Sequence, residues 1–489
     1  MDNKFWNYED EAVELTLDWA KNRTVTGSDS KTTALSANEL RNKVGATITE
    51  DGIGPKKALD IFETLNKATR SSDDPMNFAY IPCAPTKAAV AFDEVVSAAN
   101  VFGGIWENGA GAIYAENQVV DWLKENLNWP EEAIGTFVSG GTHGNLSALA
   151  CARDNAKNKW KTEGKYPKGR PSDGYKLIIS KDTHSSVRTI AKVLDVDVLV
   201  AETDEKGRMT GEAVRTLIDE NEGVFAVVAT TGTTNTGTID DVESISKVCQ
   251  EYDIWLHIDG AYGGAGILAP SVRDLYKGIE NADSFIVDPH KWLFAPYDSC
   301  CLIYRNPKNV YQTFSQHAEY LEGVDHSQSN PSDMAIHLSR RTRGLPLWYS
   351  LVTYGSKKYS EAIEKCLDNA KKCAQAIKES EHLELVMEPT LSVVAFKRKT
   401  WELKDYQKWS NELALEGRIL CIPSSIDGEV ILRLAFLNPN TDIDKAINII
   451  LETTKEKDMR LHFRVTPNSW TIEMNTILCL SLFDSKRNP

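Results

Sequence analysis

One lysine lies in a setting that favours nucleophilic chemistry. Lys291 follows the short apolar run at 284–287, and apolar residues beginning with Trp292 come directly after it. We expect such a lysine to be partly desolvated, and desolvation lowers the pKa of an amine because it disfavours the ammonium form. The neutral amine is the form that makes a Schiff base. An ordinary lysine at a strand end is the alternative for this residue taken alone.

A carboxylate, Asp259, closes a second apolar run at 254–258. An acid at the carboxyl end of a parallel strand faces the crevice in which α/β proteins bind ligands. Burying it without a cationic partner is costly, and a protonated pyridine nitrogen would be such a partner. The glycines that follow, Gly260, Gly263 and Gly264, are expected to let a flat ligand approach closely. A turn-capping aspartate is the alternative.

Three further polar stretches follow apolar runs. Residues 139–145, with the sequence SGGTHGN, place glycines and Thr142 at a helix start, where free N–H groups bind phosphate. His184 can stack on an aromatic ring from the face opposite to the carboxylate. The threonine-rich stretch at 230–237, which includes Thr234, can contact a ring oxygen or a phosphate. A structural histidine and simple turns are the alternatives for these stretches taken singly.

These residues require a scaffold that brings strand ends together. Between about 71 and 345, short β-rich runs alternate with amphipathic helical patterns, which is typical of a parallel sheet covered on both faces. The runs are residues 135–139, 176–180, 197–201, 224–230, 254–258, 284–287 and 301–305. Helical patterns lie between them, for example at 145–159, 211–221 and 241–252. The sequence therefore predicts an α/β fold with a mostly parallel central sheet.

The chain divides into four predicted segments. They are an N-terminal helical arm at 1–70, a large domain at 71–345, a smaller C-terminal α+β domain at 346–455 and a tail of uncertain structure at 456–489. The smaller domain has strand patterns at 391–397 and 429–435, and the tail has weaker ones at 461–465 and 476–483.

Composition excludes several classes of function. The formal net charge of −15 disfavours binding to a polyanion such as DNA. The nine cysteines lack the paired spacing of a metal site, so we expect no bound metal and reduced thiols. No apolar run approaches the ~20 residues of a membrane span, and the first residues lack the pattern of a signal peptide. We therefore expect a cytoplasmic protein that binds neither nucleic acid nor membrane.

The order and spacing of the polar stretches resemble those of the group II pyridoxal-phosphate (PLP)-dependent amino-acid decarboxylases. These are the relatives of the aromatic-L-amino-acid, histidine and glutamate decarboxylases. The resemblance runs from Phe78 to about Arg433. It implies the fold-type I architecture, pyridoxal 5'-phosphate as cofactor, and a homodimer with active sites between its subunits.

The resemblance also implies roles for individual residues. Lys291 would hold the cofactor, Asp259 would pair with its ring nitrogen, and His184 would stack on its ring. Further cofactor contacts are implied for Gly141, Thr142, Thr234, Asp288 and His290. The positions that fall where the family binds substrate are Tyr80, Cys83, Trp106 and Arg433.

Two departures from the family stand out. Position 288 is Asp, where the animal enzymes usually have Asn, so a negative charge is added near the phosphate. The aromatic decarboxylases of the family use a loop tyrosine to protonate the substrate carbon after CO2 leaves. The segment from Leu321 to Arg340, which we expect to be a mobile surface lid, has no tyrosine. His326 and His337 are the alternative donors within it.

The sequence therefore predicts a PLP-dependent decarboxylase of an L-α-amino acid, with an apolar or aromatic side chain favoured. A first alternative is another outcome on the same fold, either decarboxylation with aldehyde formation or a carbon–carbon or carbon–sulfur lyase. A second is an inactive binding relative, against which the retained Lys291, Asp259 and His184 argue. A third is a Rossmann-type dehydrogenase, whose G-x-G-x-x-G fingerprint the chain lacks.

Overall fold

The computed structural model describes residues 11–27, 34–315 and 328–455. The strands are β1 Ile134–Val138, β2 Tyr175–Ser180, β3 Val196–Ala201, β4 Val224–Thr230, β5 Trp255–Asp259, β6 Ser284–Val287, β7 Cys300–Tyr304, β8 Leu383–Leu385, β9 Val393–Arg398, β10 Pro423–Ile426 and β11 Glu429–Ala435. The helices are α1 Glu11–Thr26, α2 Ala37–Val44, α3 Pro55–Asn66, α4 Lys87–Ala99, α5 Trp106–Leu127, α6 Gly141–Thr162, α7 Ser185–Val193, α8 Gly211–Glu220, α9 Val242–Tyr252, α10 Pro289–Trp292, α11 Pro307–Phe314, α12 Leu345–Tyr354, α13 Ser356–Lys378, α14 Leu403–Leu415 and α15 Ile443–Thr453.

The central sheet has seven strands in the order β1-β7-β6-β5-β4-β2-β3. Strand β7 pairs antiparallel with both β1 and β6, and the other neighbours pair in parallel. Because β7 is the one reversed strand of this sheet, the carboxyl ends of the other six meet at one edge. Each of the seven predicted strands agrees with an observed one to within a residue at either end, and the predicted α/β fold class is confirmed.

Apolar side chains cover both faces of this sheet. In β4 every residue is buried, and alternate residues of a strand point to opposite faces. Ile178 and Val227 join a core with α5, α8, α9 and α13. Leu177 and Val228 join a second core with α6, α7 and α11 on the other face. Burial on both sides explains why the strands have continuous apolar sequences.

A smaller sheet follows in the chain. It has four antiparallel strands in the order β10-β11-β9-β8. The patterns at 391–397 and 429–435 appear as β9 and β11, whereas the short β8 and β10 were not predicted. The described residues up to Thr454 group into one compact unit, and the predicted segment boundaries remain predictions. The strands predicted at 461–465 and 476–483 lie outside the described residues.

The described residues contain no helix that is long and apolar enough to cross a membrane. They also contain no group of three metal-ligating side chains. The cysteines among them are buried and form no disulfide.

A buried ion pair joins α5 to the segment that precedes α12. The Arg340 Nη2 atom lies 2.7 Å from both carboxylate oxygens of Glu116. Glu116 Oε1 also accepts the N–H of Gly344, and Arg340 Nη1 donates to the carbonyl of Gly103. The two side chains are 3 % and 1 % exposed. Because both charges are enclosed, each depends on the other for compensation.

We expect Glu116→Leu to lower the free energy of unfolding by about 3–5 kcal/mol, because it leaves the Arg340 guanidinium buried and unpaired. The double variant Glu116→Leu/Arg340→Met should recover most of this loss, since it buries no charge. Thermal unfolding midpoints measure both effects, and Glu361→Gln at the exposed Lys358 pair is the matched control. A double variant as unstable as the single one would contradict the assignment of the loss to an uncompensated charge.

Candidate active site

A cavity of about 720 Å³ opens at the edge where the parallel strands end. This volume is within the range of small-molecule sites. The loops that follow β1, β2, β4, β5 and β6 all contribute to its wall. Each predicted cofactor-contact position lines it: Gly141, Thr142, His184, Thr234, Asp259, Asp288, His290 and Lys291.

Lys291 lies on α10, the single helical turn that begins after β6. Its Nζ atom is 2.9 Å from Oδ2 of Asp288, and 24 % of its side chain is exposed. Burial disfavours the charged amine, but the carboxylates of Asp288 and Asp259 outweigh burial and raise the pKa of Lys291. The expectation of a lowered pKa for this lysine is therefore wrong, because Asp288, three residues earlier, faces the amine.

His290 is held from two sides. Its Nδ1 atom accepts the N–H of Ser299 at 3.0 Å, and its ring contacts that of Tyr297 with 4.8 Å between centroids. Its Nε2 atom is 3.6 Å from Oδ2 of Asp288. Burial lowers the pKa of His290, which favours a neutral ring with a proton on Nε2.

Asp259 is a buried carboxylate at the end of β5, with 4 % of its surface exposed. Its Oδ1 atom accepts the N–H of Ala261 at 3.1 Å, and its Oδ2 atom accepts the side-chain amide of Asn145 at 2.9 Å. Among the described residues, no Lys, Arg or His forms an ion pair with it. Neutral donors orient this carboxylate without cancelling its charge, so the site has room for a cationic ligand atom.

The start of α6 offers donors to an anion. Helix α6 has 22 residues and begins at Gly141, and its N-cap Gly140 has no side chain to bind the first free amides. Those amides and the positive end of the helix dipole favour a phosphate group. His184, at the start of α7, is exposed at the cavity, and its Nδ1 atom is 2.8 Å from Oγ of Ser186.

These groups fit PLP. The α6 amides can hold its phosphate, Asp259 can pair with its ring nitrogen, and the amine of Lys291 can bond to its aldehyde carbon. His184 can cover one face of the ring. The fit rests on the unpaired charge of Asp259 and on the free amides of α6.

Two of the four predicted substrate positions line the cavity, and two do not. Tyr80, which is 69 % exposed, and Arg433, which is 4 % exposed, line the cavity. Cys83 is buried behind the wall, where its Sγ atom donates to the carbonyl of Ala295, and burial raises the pKa of its thiol. Trp106 begins α5, and its backbone N–H donates to Oδ1 of Asn330. Neither Cys83 nor Trp106 lines the cavity formed by the described residues, which corrects their assignment within one subunit.

The segment from 321 to 340 also differs from expectation where it is described. His326 lies outside the described residues. His337 hydrogen-bonds the carbonyl of Pro331 through Nε2 at 2.9 Å and packs edge-on against His143. Burial lowers the pKa of His337 to about 4. Residues 330–335 are buried, so this part of the segment is packed into the protein and is not a surface lid.

Several residues of the site were not singled out from sequence. His143, Asn145 and Tyr297 line the cavity, and His257 lies behind it. Strand alternation offered a signal for His257, because it precedes Asp259 by two residues and so points to the same face of β5.

The structure also contradicts the prediction that Gly260, Gly263 and Gly264 let a flat ligand approach closely. A Cβ atom on Gly263 would meet the carbonyl of Thr231, and one on Gly264 would meet the ring of Phe285. One on Gly260 would meet the carbonyl of Ile286 at 2.7 Å. The space beside the Cα atom of each of these glycines is therefore filled by other parts of the protein and is not left for a flat ligand.

A family profile described as "Pyridoxal-dependent decarboxylase conserved domain" matches residues 55–399. The chain belongs to this family. An aromatic-L-amino-acid decarboxylase of Bacillus atrophaeus is 31% identical over 90% of this chain and 93% of its own length. An L-2,4-diaminobutyrate decarboxylase of Acinetobacter baumannii is 28% identical, with 92% of each chain covered. A phenylacetaldehyde synthase of Petunia hybrida is 27% identical over 77% of this chain and 80% of its own length.

The fold agrees with that of solved members. The crystal structure of Oryza sativa TDC with PLP and tryptamine superposes with a TM-score of 0.82, at 22% identity, and covers 93% of this chain and 98% of that one. The predictions of the fold-type I architecture, of PLP as cofactor and of a PLP-dependent carboxy-lyase are confirmed. The Rossmann-type dehydrogenase alternative is wrong.

We expect Asp288→Asn to lower the pKa of Lys291, because it removes the nearest negative charge from the amine. Schiff-base formation needs the neutral amine, so its rate in the cofactor-free protein should reach half its maximum at a lower pH, by about one unit or more. Stopped-flow absorbance after PLP addition measures this rate. Asp182→Asn, outside the cavity, is the control and should leave the midpoint in place. An unchanged midpoint in Asp288→Asn would show that Asp288 does not set the charge of Lys291.

Proposed function

We propose that this decarboxylase-family member converts an L-α-amino acid to its amine and CO2, with apolar or aromatic side chains favoured. One observation carries the proposal: the unpaired Asp259 carboxylate and the Lys291 amine line one cavity. Bound PLP supplies an electron sink for the charge that develops at the substrate α-carbon. Asp259 would keep the proton on the ring nitrogen that this chemistry needs.

The other residues of the cavity would bind and orient the substrate. Arg433 is a buried guanidinium whose Nη1 atom donates to the carbonyl of Thr234 at 2.8 Å. Among the described residues, no carboxylate forms an ion pair with Arg433, so the substrate carboxylate is a suitable partner. His184 would cover the ring and exclude water. The orientation of the α-carbon bonds then determines which bond breaks.

The preference for an apolar or aromatic side chain rests on the cavity wall. Tyr80, Ile81, Leu146, Tyr262 and Tyr297 all line it. Aromatic rings and aliphatic groups favour a substrate side chain that buries apolar surface. The Bacillus atrophaeus relative, named for aromatic amino acids, supports the same preference.

Two observations favour a second outcome, aldehyde formation. The segment from 321 to 340 contains no tyrosine, and the Petunia hybrida relative is named an aldehyde synthase. We propose that His326 or His337 donates the proton that leads to amine. For His337, the donor role would require a rearrangement, because its Nε2 atom is bonded to the carbonyl of Pro331. A carbon–carbon or carbon–sulfur lyase is the remaining alternative.

Product analysis tests these proposals. The purified protein with PLP should release CO2 and amine from an aromatic L-amino acid, and borohydride should leave a phosphopyridoxyl group on Lys291 by mass spectrometry. If His337 or His326 is the donor, its replacement by Gln should slow amine formation and raise the aldehyde-to-amine ratio, because an unprotonated α-carbon stays open to oxidation by O2. His382→Gln, remote from the cavity, is the control.

Each alternative has its own outcome. Aldehyde and ammonia from the parent protein would favour the second outcome over amine formation. No CO2 from any amino acid would favour the lyase alternative. Amine at the parent rate from both single variants and from the double variant would exclude both histidines as donors.

We further propose that the chain acts as a homodimer. Helices α1, α2 and α3 contain no buried residue, and Leu17, Val25 and Phe62 on or beside them are 55 %, 63 % and 45 % exposed. A second copy of the chain would cover these apolar side chains. Light scattering should give twice the chain mass, and Leu17→Glu with Phe62→Glu should lower it. A fully active monomer at working concentration would contradict the proposal.

A further inference from the structure

A series of buried hydrogen bonds continues from Asp259 into the sheet. The indole Nε1 atom of Trp255 lies 2.8 Å from Ser284 Oγ, which lies 2.8 Å from His257 Nδ1. His257 Nε2 lies 2.8 Å from Asn145 Oδ1, and Asn145 Nδ2 lies 2.9 Å from Asp259 Oδ2. All five side chains are buried. We call this series the Asp259 hydrogen-bond network.

The chemistry of the groups fixes the direction of three of these four bonds, and the direction of the fourth, between Ser284 and His257, depends on the charge of the histidine. An indole N–H only donates, and a carboxylate only accepts. Ser284 therefore accepts from Trp255, and when His257 is neutral the Ser284 hydroxyl donates to His257 Nδ1. His257 then donates from Nε2 to the Asn145 carbonyl oxygen, and the Asn145 amide donates to Asp259. The reversed Asn145 amide would set its oxygen against the carboxylate, which is repulsive.

Donation from Ser284 to His257 requires a neutral His257 with its proton on Nε2. Burial lowers the pKa of His257, which favours the neutral ring at physiological pH. A second proton, on Nδ1, would reverse the bond to Ser284, whose hydroxyl would then have to donate elsewhere. With a neutral His257 the Asp259 hydrogen-bond network is fully paired, and its last donor, the Asn145 amide, is directed at the carboxylate.

Asn145 also links two parts of the cavity. It lies four residues, or about one turn, after Gly141 on α6, and both residues line the cavity. One turn of α6 thus offers amides to a phosphate, and the next turn binds Asp259. His257 fixes Asn145 from the side of the sheet, so the carboxylate has a set position relative to the start of the helix.

We propose that Asn145 and His257 are positioning residues that hold the Asp259 carboxylate in place to pair with the PLP ring nitrogen. This inference rests on the proposed function, because it gives Asp259 the role described there. Neither residue need touch the cofactor's reacting atoms. Their effect on the cofactor should pass through Asp259, and that dependence separates positioning from a general contribution to folding.

The test compares Asn145→Val with Asn145→Thr. Valine and threonine have nearly the same shape, but only threonine has a hydroxyl that can donate to Asp259. Fluorescence titration with PLP should show binding weakened on the order of tenfold or more in the valine variant, and largely retained in the threonine variant. Equal thermal unfolding midpoints check that both fold alike. Asn369→Ala, at a buried asparagine of α13, is the control and should leave PLP affinity unchanged.

The same pair is then measured in an Asp259→Asn background. There the two Asn145 variants should bind PLP equally, because the carboxylate that they orient is gone. The 15N shift of PLP labelled at its ring nitrogen should move toward the unprotonated form in Asn145→Val and in His257→Leu, but not in Asn145→Thr. His257→Leu gives an independent measurement if Asn145→Val fails to fold.

The outcomes separate this inference from the proposed function. Failure of the parent protein to bind PLP on Lys291 would refute the proposed function itself. With PLP bound to the parent, equal affinities of the valine and threonine variants would refute the positioning role of Asn145. The same conclusion follows if their difference persists without the Asp259 carboxylate. An unchanged 15N shift in His257→Leu would remove His257 from the proposal.

Discussion

The negative charge of Asp259 is the constraint on which the site depends. A carboxylate with 4 % exposure is stable only where donors surround it. The amide of Asn145 and the backbone of Ala261 provide those donors, but they are neutral. The charge therefore remains available to a cation in the cavity. Lys291 is compensated separately by Asp288, so its amine is not needed at Asp259.

Sheet topology explains how distant parts of the chain reach this charge. Loops after β1, β2, β4, β5 and β6 meet because those strands run in the same direction. β7 reverses between β1 and β6, and the double reversal leaves β1 parallel to β6. The helix that follows β1 thereby brings its amino terminus to the same edge as Asp259 and Lys291.

Local pattern was sufficient to predict the strands and the residues that follow them. Apolar runs bounded by polar turns located β1 to β7 because buried strands have continuous apolar sequences. The same property concealed the reversal of β7, since its residues are as buried as those of parallel β4. The bond between Asn145 and His257 joins residues 112 positions apart, and no local pattern contains it. Cys83 was misassigned because a position in a motif does not give the direction of a side chain.

The connection between β6 and β7 determines how Lys291 can move. Val287 at the end of β6 pairs in register with Cys301 of β7, so the intervening segment leaves the sheet and returns to it at neighbouring strands. The N–H of Ser299, near its return, is bonded to His290 beside the lysine. The segment that carries Lys291 is thus anchored at both ends by buried strands of the central sheet. When the amine changes bonding partners, it therefore moves by rotation about the bonds between the methylene carbons of its own side chain.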